Sequence, residues 1–213
     1  MPKGPTKRRP RTQAKLLQAA RELFAEKGFG ATSVGDICGR AGYTSGAFYS
    51  NYSSKDELFF ALFDAHAAEL IERLRDKLTR LREQSATIDE LVAAATEIGP
   101  EERSWYLIST EFTLYAIRNP AAARTLADHD AKVRALFIPL LDVLRREFDV
   151  TVPVDLDHLT RAVIALREGG LAQSLVEPDR LAHGELERTY LPALVLTPLR
   201  PPGASIELRH DGR

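Results

Sequence analysis

Between Thr12 and Lys27 the apolar residues Leu16, Leu17, Ala20, Leu23 and Phe24 recur at i, i+1, i+4, i+7 and i+8, one face of a helix. Gly28 is placed to end it, because glycine takes the left-handed C-cap conformation without strain. A short second helix is predicted from Thr32/Ser33 to Ala41, with Ser33 and Asp36 spaced as a capping box and Gly42 following. A third spans Ser45–Tyr52 behind the cap candidates Thr44 and Ser45. A long one covers 54–83, where Leu58, Phe59, Leu62, Phe63, Ala67, Leu70 and Ile71 keep helical spacing.

The punctuation continues along the chain. Thr87 and Glu90 form a second capping box, and Gly99-Pro100 breaks the helix it opens. Further helices are predicted over 101–118, from Asn119-Pro120 to Phe148, from Asp155 to Val176, and over 181–196. Alternating β-branched runs joined by Asn-Gly turns do not occur. The pattern predicts an all-α fold of about nine helices. Gly4, Pro5 and Pro10 mark residues 1–11 as an extended arm. Residues 12–53 form a three-helix unit and 54–197 a larger helical domain. Prolines 198, 201 and 202 begin a flexible tail over 198–213.

Two features of the larger domain bear on function. Helix 101–118 is apolar nearly all round, through Trp105, Tyr106, Leu107, Ile108, Phe112, Leu114, Tyr115 and Ile117, so it is expected to be surrounded. Pro139 interrupts the apolar run 135–141 and is expected to kink its helix. A kinked helix beside an aromatic one can frame a cavity, and a filled core fits the same pattern.

Charge changes the picture more than composition does. Residues 1–53 hold nine lysines and arginines against Glu22, Glu26 and Asp36, a net +6. The whole chain is −1, so the other 160 residues carry −7. A basic end on an acidic chain suits a polyanionic partner or a solubilising tail. The longest uncharged stretch, Ala41–Ser54, is rich in Gly, Ser, Thr and Tyr and falls short of the ~18 residues a membrane span needs. No apolar signal core follows the basic start, and a lone cysteine, Cys38, suits a reducing cytoplasm. His66, His129, His158, His183 and His210 form no metal-binding spacing, and no Walker loop or nucleophile elbow occurs. Neither an enzyme nor a cofactor is implied.

The most specific stretch is Thr32–Lys55, TSVGDICGRAGYTSGAFYSNYSSK. Ile37 and Cys38 of one short helix face Phe48 of the next, and Ala41-Gly42 provides the tight turn of a helix-turn-helix. The second helix then exposes Thr44, Ser45, Ala47, Tyr49 and Asn51, whose hydroxyls, amide and methyl suit phosphates or base edges. Gly46 allows a phosphate to approach the backbone. The spacing of Thr32, Ile37, Ala41-Gly42, Ser45 to Tyr49, Tyr52 and Lys55 resembles the signature of the TetR family of bacterial regulators. The preceding Ala19-Ala20, Leu23-Phe24 and Gly28-Phe29 match as well, so the strong resemblance covers about residues 12–63.

The resemblance implies that the helix near 45–51 is the recognition helix. Tyr49, Lys55 and Thr32 or Ser33 are then expected on phosphates, with Thr44, Ser45, Ala47 and Asn51 nearest base edges. Many relatives have Arg or Lys in place of Ser45 and His in place of Asn51. This recognition helix has no charge, so an arm carrying Lys3, Lys7, Arg8, Arg9 and Arg11 is expected to supply the electrostatic contacts.

Family architecture also implies a ligand pocket. The candidates are Trp105, Ser109, Phe112 and Tyr115 at i, i+4, i+7 and i+10, with Phe137 and the polar His66 and His129. They suit a flat or hydrophobic effector, although core packing explains an aromatic stripe equally well. The last two helices, with Gly169, Gly170, Leu186, Tyr190 and Leu194, are expected to pair with a second copy. Such a homodimer reads a near-palindromic operator with half-sites roughly 34–36 Å apart. The expected function is a repressor released by a small molecule. The competing readings are an activator or ligand-independent regulator, and a helical small-molecule protein with a vestigial helix-turn-helix.

Overall fold

The computed structural model describes residues 8–84, 87–95, 101–150 and 155–196. Among them lie nine helices and no strand: α1 (Arg8–Lys27), α2 (Val34–Ala41), α3 (Ser45–Tyr49), α4 (Lys55–Glu83), α5 (Ile88–Ala95), α6 (Glu102–Arg118), α7 (Pro120–Glu147), α8 (Leu156–Val176) and α9 (Glu185–Leu196). No helix among the described residues is long and apolar enough to cross a membrane.

Three boundaries differ from the sequence expectation. Arg8, Arg9, Pro10 and Arg11 are not an extended arm; they form the first turn of α1. A first-turn residue has no intrahelical acceptor for its N–H, so Pro10 loses no hydrogen bond there. Lys3 and Lys7 of the arm and the tail 198–213 lie outside the described residues. Helix α3 stops at Tyr49 because the Phe48 carbonyl accepts from both Asn51 N and Tyr52 N, turning the chain so that Tyr52 is buried. Helix α9 starts at Glu185, after Gly184 takes a left-handed φ of 73°. Helix α7 runs on as one element through Pro139, and α9 does so through Pro192.

The aromatic core joins the first three helices to the rest. Leu16, Leu23 and Phe24 of α1, Ile37 of α2 and Phe48 of α3 are buried in one cluster with Leu58, Phe59 and Leu62 of α4 and Ile108 and Phe112 of α6. Phe59 and Phe112 stack with centroids 3.6 Å apart, and Phe29 meets Phe112 edge-on at 4.9 Å. Each such ring contributes about 1.5–3 kcal/mol by burial. Helix α4, about 43 Å long at 1.5 Å per residue, runs from this cluster to contacts with α5 and α7. Helix α6 is not surrounded as its composition suggested. It packs on α1, α7 and α8, and leaves Leu107, Leu114 and Ile117 exposed on its outer side.

Candidate nucleic-acid interface

The turn between α2 and α3 is fixed by local chemistry. Ser33 caps α2, with its hydroxyl accepting from Asp36 N while the Asp36 carboxylate accepts from Ser33 N. Gly42 closes the helix at φ +72°, with nothing near where a Cβ would stand, so backbone conformation alone calls for glycine. Thr44 caps α3 through a bond accepted from Ala47 N. Phe48, fully buried, anchors α3 beneath, next to Ile37 and Cys38. The opposite face is open: Thr44, Ser45 and Gly46 are exposed, and Tyr49 is 60% exposed with its ring braced edge-on by Phe48.

Helices α1 and α3 together border an open groove of about 720 Å³, lined by Arg9, Arg11 and Lys15 on one side and Tyr43, Ala47 and Asn51 on the other. Three other cations of this region are neutralised by carboxylates. Arg40 forks onto Glu26 and reaches Glu22, Lys27 faces Asp36, and Arg21 meets Glu101. Arg9, Arg11 and Lys15 pair with no carboxylate among the described residues. Among the described residues this leaves a row of cations without carboxylate partners beside the exposed face of α3, with Lys15 6.0 Å from the Tyr43 ring centroid, the footprint expected for a phosphate backbone. Lys15, Tyr43, Thr12 and Ser50 also line this groove, and the sequence reading did not single them out. The i, i+4 spacing of Arg11 and Lys15 signals a shared face once α1 is known to begin at Arg8. Arg8 opens α1, and its side chain lies outside the described residues.

Four expected phosphate or base contacts are engaged elsewhere. Thr32 is buried, and its hydroxyl donates to Gly28 O at 2.7 Å and to Leu23 O at 3.3 Å, joining the end of α1 to the start of α2. The Lys55 ammonium donates to Phe29 O at 2.6 Å and Thr32 O at 2.8 Å and lies 4.3 Å from the Phe29 ring centroid. Burial pulls its pKa below the usual lysine value. The Ser33 hydroxyl donates to Asp36 at 2.7 Å, and that carboxylate occupies the helix N-terminus that a phosphate would seek. Asn51 donates its amide to Ala47 O and Ser50 Oγ, so it offers no free bidentate edge to a base.

The aromatic residues expected around a ligand fill the core instead. Phe112 is fully buried against Phe59, and the Tyr115 hydroxyl bonds Asp56 and Asn119. Trp105 stacks on His66 at 4.0 Å, His129 stacks on Phe60 and meets Asp64, and Ser109 donates to Tyr106 O. A cavity of about 150 Å³ lies between α4, α5, α7, α8 and α9; of the expected set only Phe137 lines it. Helices α8 and α9 also differ in detail. Gly170 admits the Glu187 side chain of its own α9, whereas Gly169 faces open space. Tyr190 and Val176 are exposed, and Leu186 and Leu194 are half-buried. Nothing in the sequence pattern singled out Glu111 of α6, whose carboxylate accepts from Phe29 N and Gly30 N.

Known proteins share this arrangement. The model for bacterial regulatory proteins of the tetR family matches residues 16–62, and that for the C-terminal part of BetI-type transcriptional repressors matches residues 85–195. The HTH-type transcriptional regulator UidR of Escherichia coli K12 is 23% identical over 80% of this chain and 84% of its own length. The regulator CymR of Pseudomonas putida is 31% identical over 52% of this chain, and the match spans about half of that protein, 53%. Among solved structures, Salmonella enterica GusR superposes with a TM-score of 0.61 at 26% identity, covering 86% of this chain and 95% of that one. A TetR-family regulator from Rhodococcus sp. reaches 0.68 at 17% identity, covering 88% and 100%. With both halves matched in order and the helix-turn-helix geometry intact, the chain belongs to the TetR family of bacterial transcriptional regulators.

Proposed function

We propose that the chain is a cytoplasmic homodimeric repressor that leaves a near-palindromic operator when a small hydrophobic or aromatic molecule binds its C-terminal helices. The observation that carries the DNA reading is the row of unpaired Arg9, Arg11 and Lys15 across the groove from the exposed face of α3. Cations of this kind supply affinity, and Tyr49, Ser45 and Thr44 orient the uncharged helix on its site. The exposed Tyr190 and Val176 and the open Gly169 support pairing through α8 and α9. The apolar cavity supports an effector site.

The mechanism is a shift of α4, the helix that reaches from the DNA-reading unit to the cavity wall. The ligand has to prefer the off-operator conformation, and a 100-fold preference is about 2.7 kcal/mol of coupling. Selection of random duplexes by the purified protein, followed by anisotropy titration of the winner with wild type and Tyr49→Ala, tests the reading. A near-palindrome bound tightly by wild type and weakly by the variant is expected. No enriched sequence, with equal weak binding by both proteins, overturns it.

A further inference from the structure

The cavity between α4, α5, α7, α8 and α9 has one charged residue in its wall among the described residues. Leu74, Leu78, Phe137, Leu141 and Ile164 are typical of the lining, and the Thr160 hydroxyl is taken up by Leu156 O. That leaves Arg167. Its Nη1 is buried with no hydrogen-bond partner, and its Nη2 makes one long contact, 3.4 Å, to Glu102 Oε2. Glu102 is itself buried and shared with Arg73 at 3.3 Å, so two guanidiniums hold one carboxylate. A buried donor left unfilled costs about 1–3 kcal/mol, more when the group is charged. This corner therefore favours an incoming anion. The neighbouring His66 senses the same field, since Arg21, Arg73 and Arg167 add to burial in holding it neutral.

We propose that the cavity takes a small apolar carboxylate, one ring or a short chain, whose head binds the Arg167 guanidinium in place of Glu102. The inference rests on the reading of this cavity as the effector site. The volume of about 150 Å³ suits a single ring, since an apolar void of that size takes up benzene. A carboxylate can engage both arms of the fork, which Glu102 does not. The exchange releases Glu102 at the start of α6, the helix whose Glu111 holds the Phe29–Gly30 backbone beside the DNA-reading unit. Glu187 is buried against Gly170, one turn along α8 from Arg167, without a hydrogen-bond partner. It is not part of the cavity wall, and a cationic head drawn to it is the opposing outcome.

Benzoate, benzamide and benzylamine share one ring and differ in the charge of the head, so they serve as probes. Binding to the full chain is followed by the fluorescence of Trp105, the sole tryptophan, and by thermal shift, neither of which involves DNA. Saturable benzoate binding about tenfold tighter than either analogue is expected. Arg167→Met abolishes that preference, and Glu102→Gln strengthens benzoate binding by removing its competitor. Benzamide or benzylamine binding as tightly as benzoate, or no saturable benzoate binding, overturns the proposal. If Arg167→Met does not fold, the probe series and Glu102→Gln decide alone, and a benzoate affinity unchanged in Glu102→Gln overturns the exchange. Because operator selection is a separate assay, a protein that binds its operator yet ignores benzoate fails here without touching the DNA reading.

Discussion

The Glu111 carboxylate of α6 sits where a Cβ on Gly28 would stand, and holds the next two backbone amides, Phe29 N at 2.8 Å and Gly30 N at 3.0 Å. Gly28 has φ +85°, so an L side chain there meets backbone strain as well as the carboxylate. Gly28→Ala is expected to lower stability by about 1–3 kcal/mol, read from the urea midpoint. Glu111→Ala removes the acceptor but leaves the DNA-facing residues alone. It should keep operator affinity within a few-fold while weakening effector release, and a full effector response in anisotropy would count against α6 as the coupling element.

Cations in the groove and the lysine at the start of α4 should behave differently on substitution. Each of Arg9→Ala, Arg11→Ala and Lys15→Ala is expected to flatten the plot of log affinity against log salt by about 0.9 for every phosphate the side chain neutralises, with little change in stability. Lys55→Met should leave that slope unaltered. It should lower stability by about 1.5–3 kcal/mol, because charge-assisted bonds to Phe29 O and Thr32 O disappear. A Lys55 variant that is stable but has a flatter slope would return this residue to the phosphate backbone.

His66 gives the fold a pH dependence of known sign. Burial against Trp105, with Arg21, Arg73 and Arg167 nearby, lowers its pKa from 6.5 to about 4. Below pH 6.5 the unfolded chain binds a proton that the folded chain refuses, so stability falls as pH drops from 6.5 toward 4 and levels off below that. The loss is on the order of 3 kcal/mol. His66→Phe keeps a ring on Trp105 and should remove that share of the decline. Equal slopes for both proteins in urea unfolding between pH 7.5 and 4.5 would show that His66 does not contribute.

Pairing of two copies is tested at the outer side of α9. Tyr190→Asp places a charge on a side chain that is 55% exposed in the single chain, so the monomer should fold normally. Sedimentation should shift from dimer toward monomer, and operator affinity should fall with it. A dimer that survives both Tyr190→Asp and Val176→Asp moves the interface away from these helices.

Much of the DNA-reading unit was legible because its signals are local. Ser33 with Asp36, Gly42 and Thr44 act within a few residues of themselves, and each stands where spacing put it. The start of α1 was not legible, because Pro10 breaks a helix interior yet is harmless in a first turn. The internal bonds of Thr32 and Lys55 were not legible, because their partners, Leu23 O, Gly28 O and Phe29 O, are carbonyls that any residue carries, and only the fold brings them close. The cavity's position was not legible for a related reason. Trp105, Phe112 and Tyr115 form a stripe on one helix, but a void is a shortfall of volume among five helices and leaves no mark on any one of them.

The ring stack of Phe59 on Phe112 limits how this chain can be recombined. A hybrid sensor made by transplanting residues 12–53 onto another effector domain would carry Phe29 without the α4 and α6 rings, Phe59 and Phe112, that complete its packing. The transplant would expose apolar surface and aggregate. A junction within α4, after Leu62, moves Phe59 with the DNA-reading unit and leaves only the α6 side to be matched by a host with an aromatic residue at the position of Phe112.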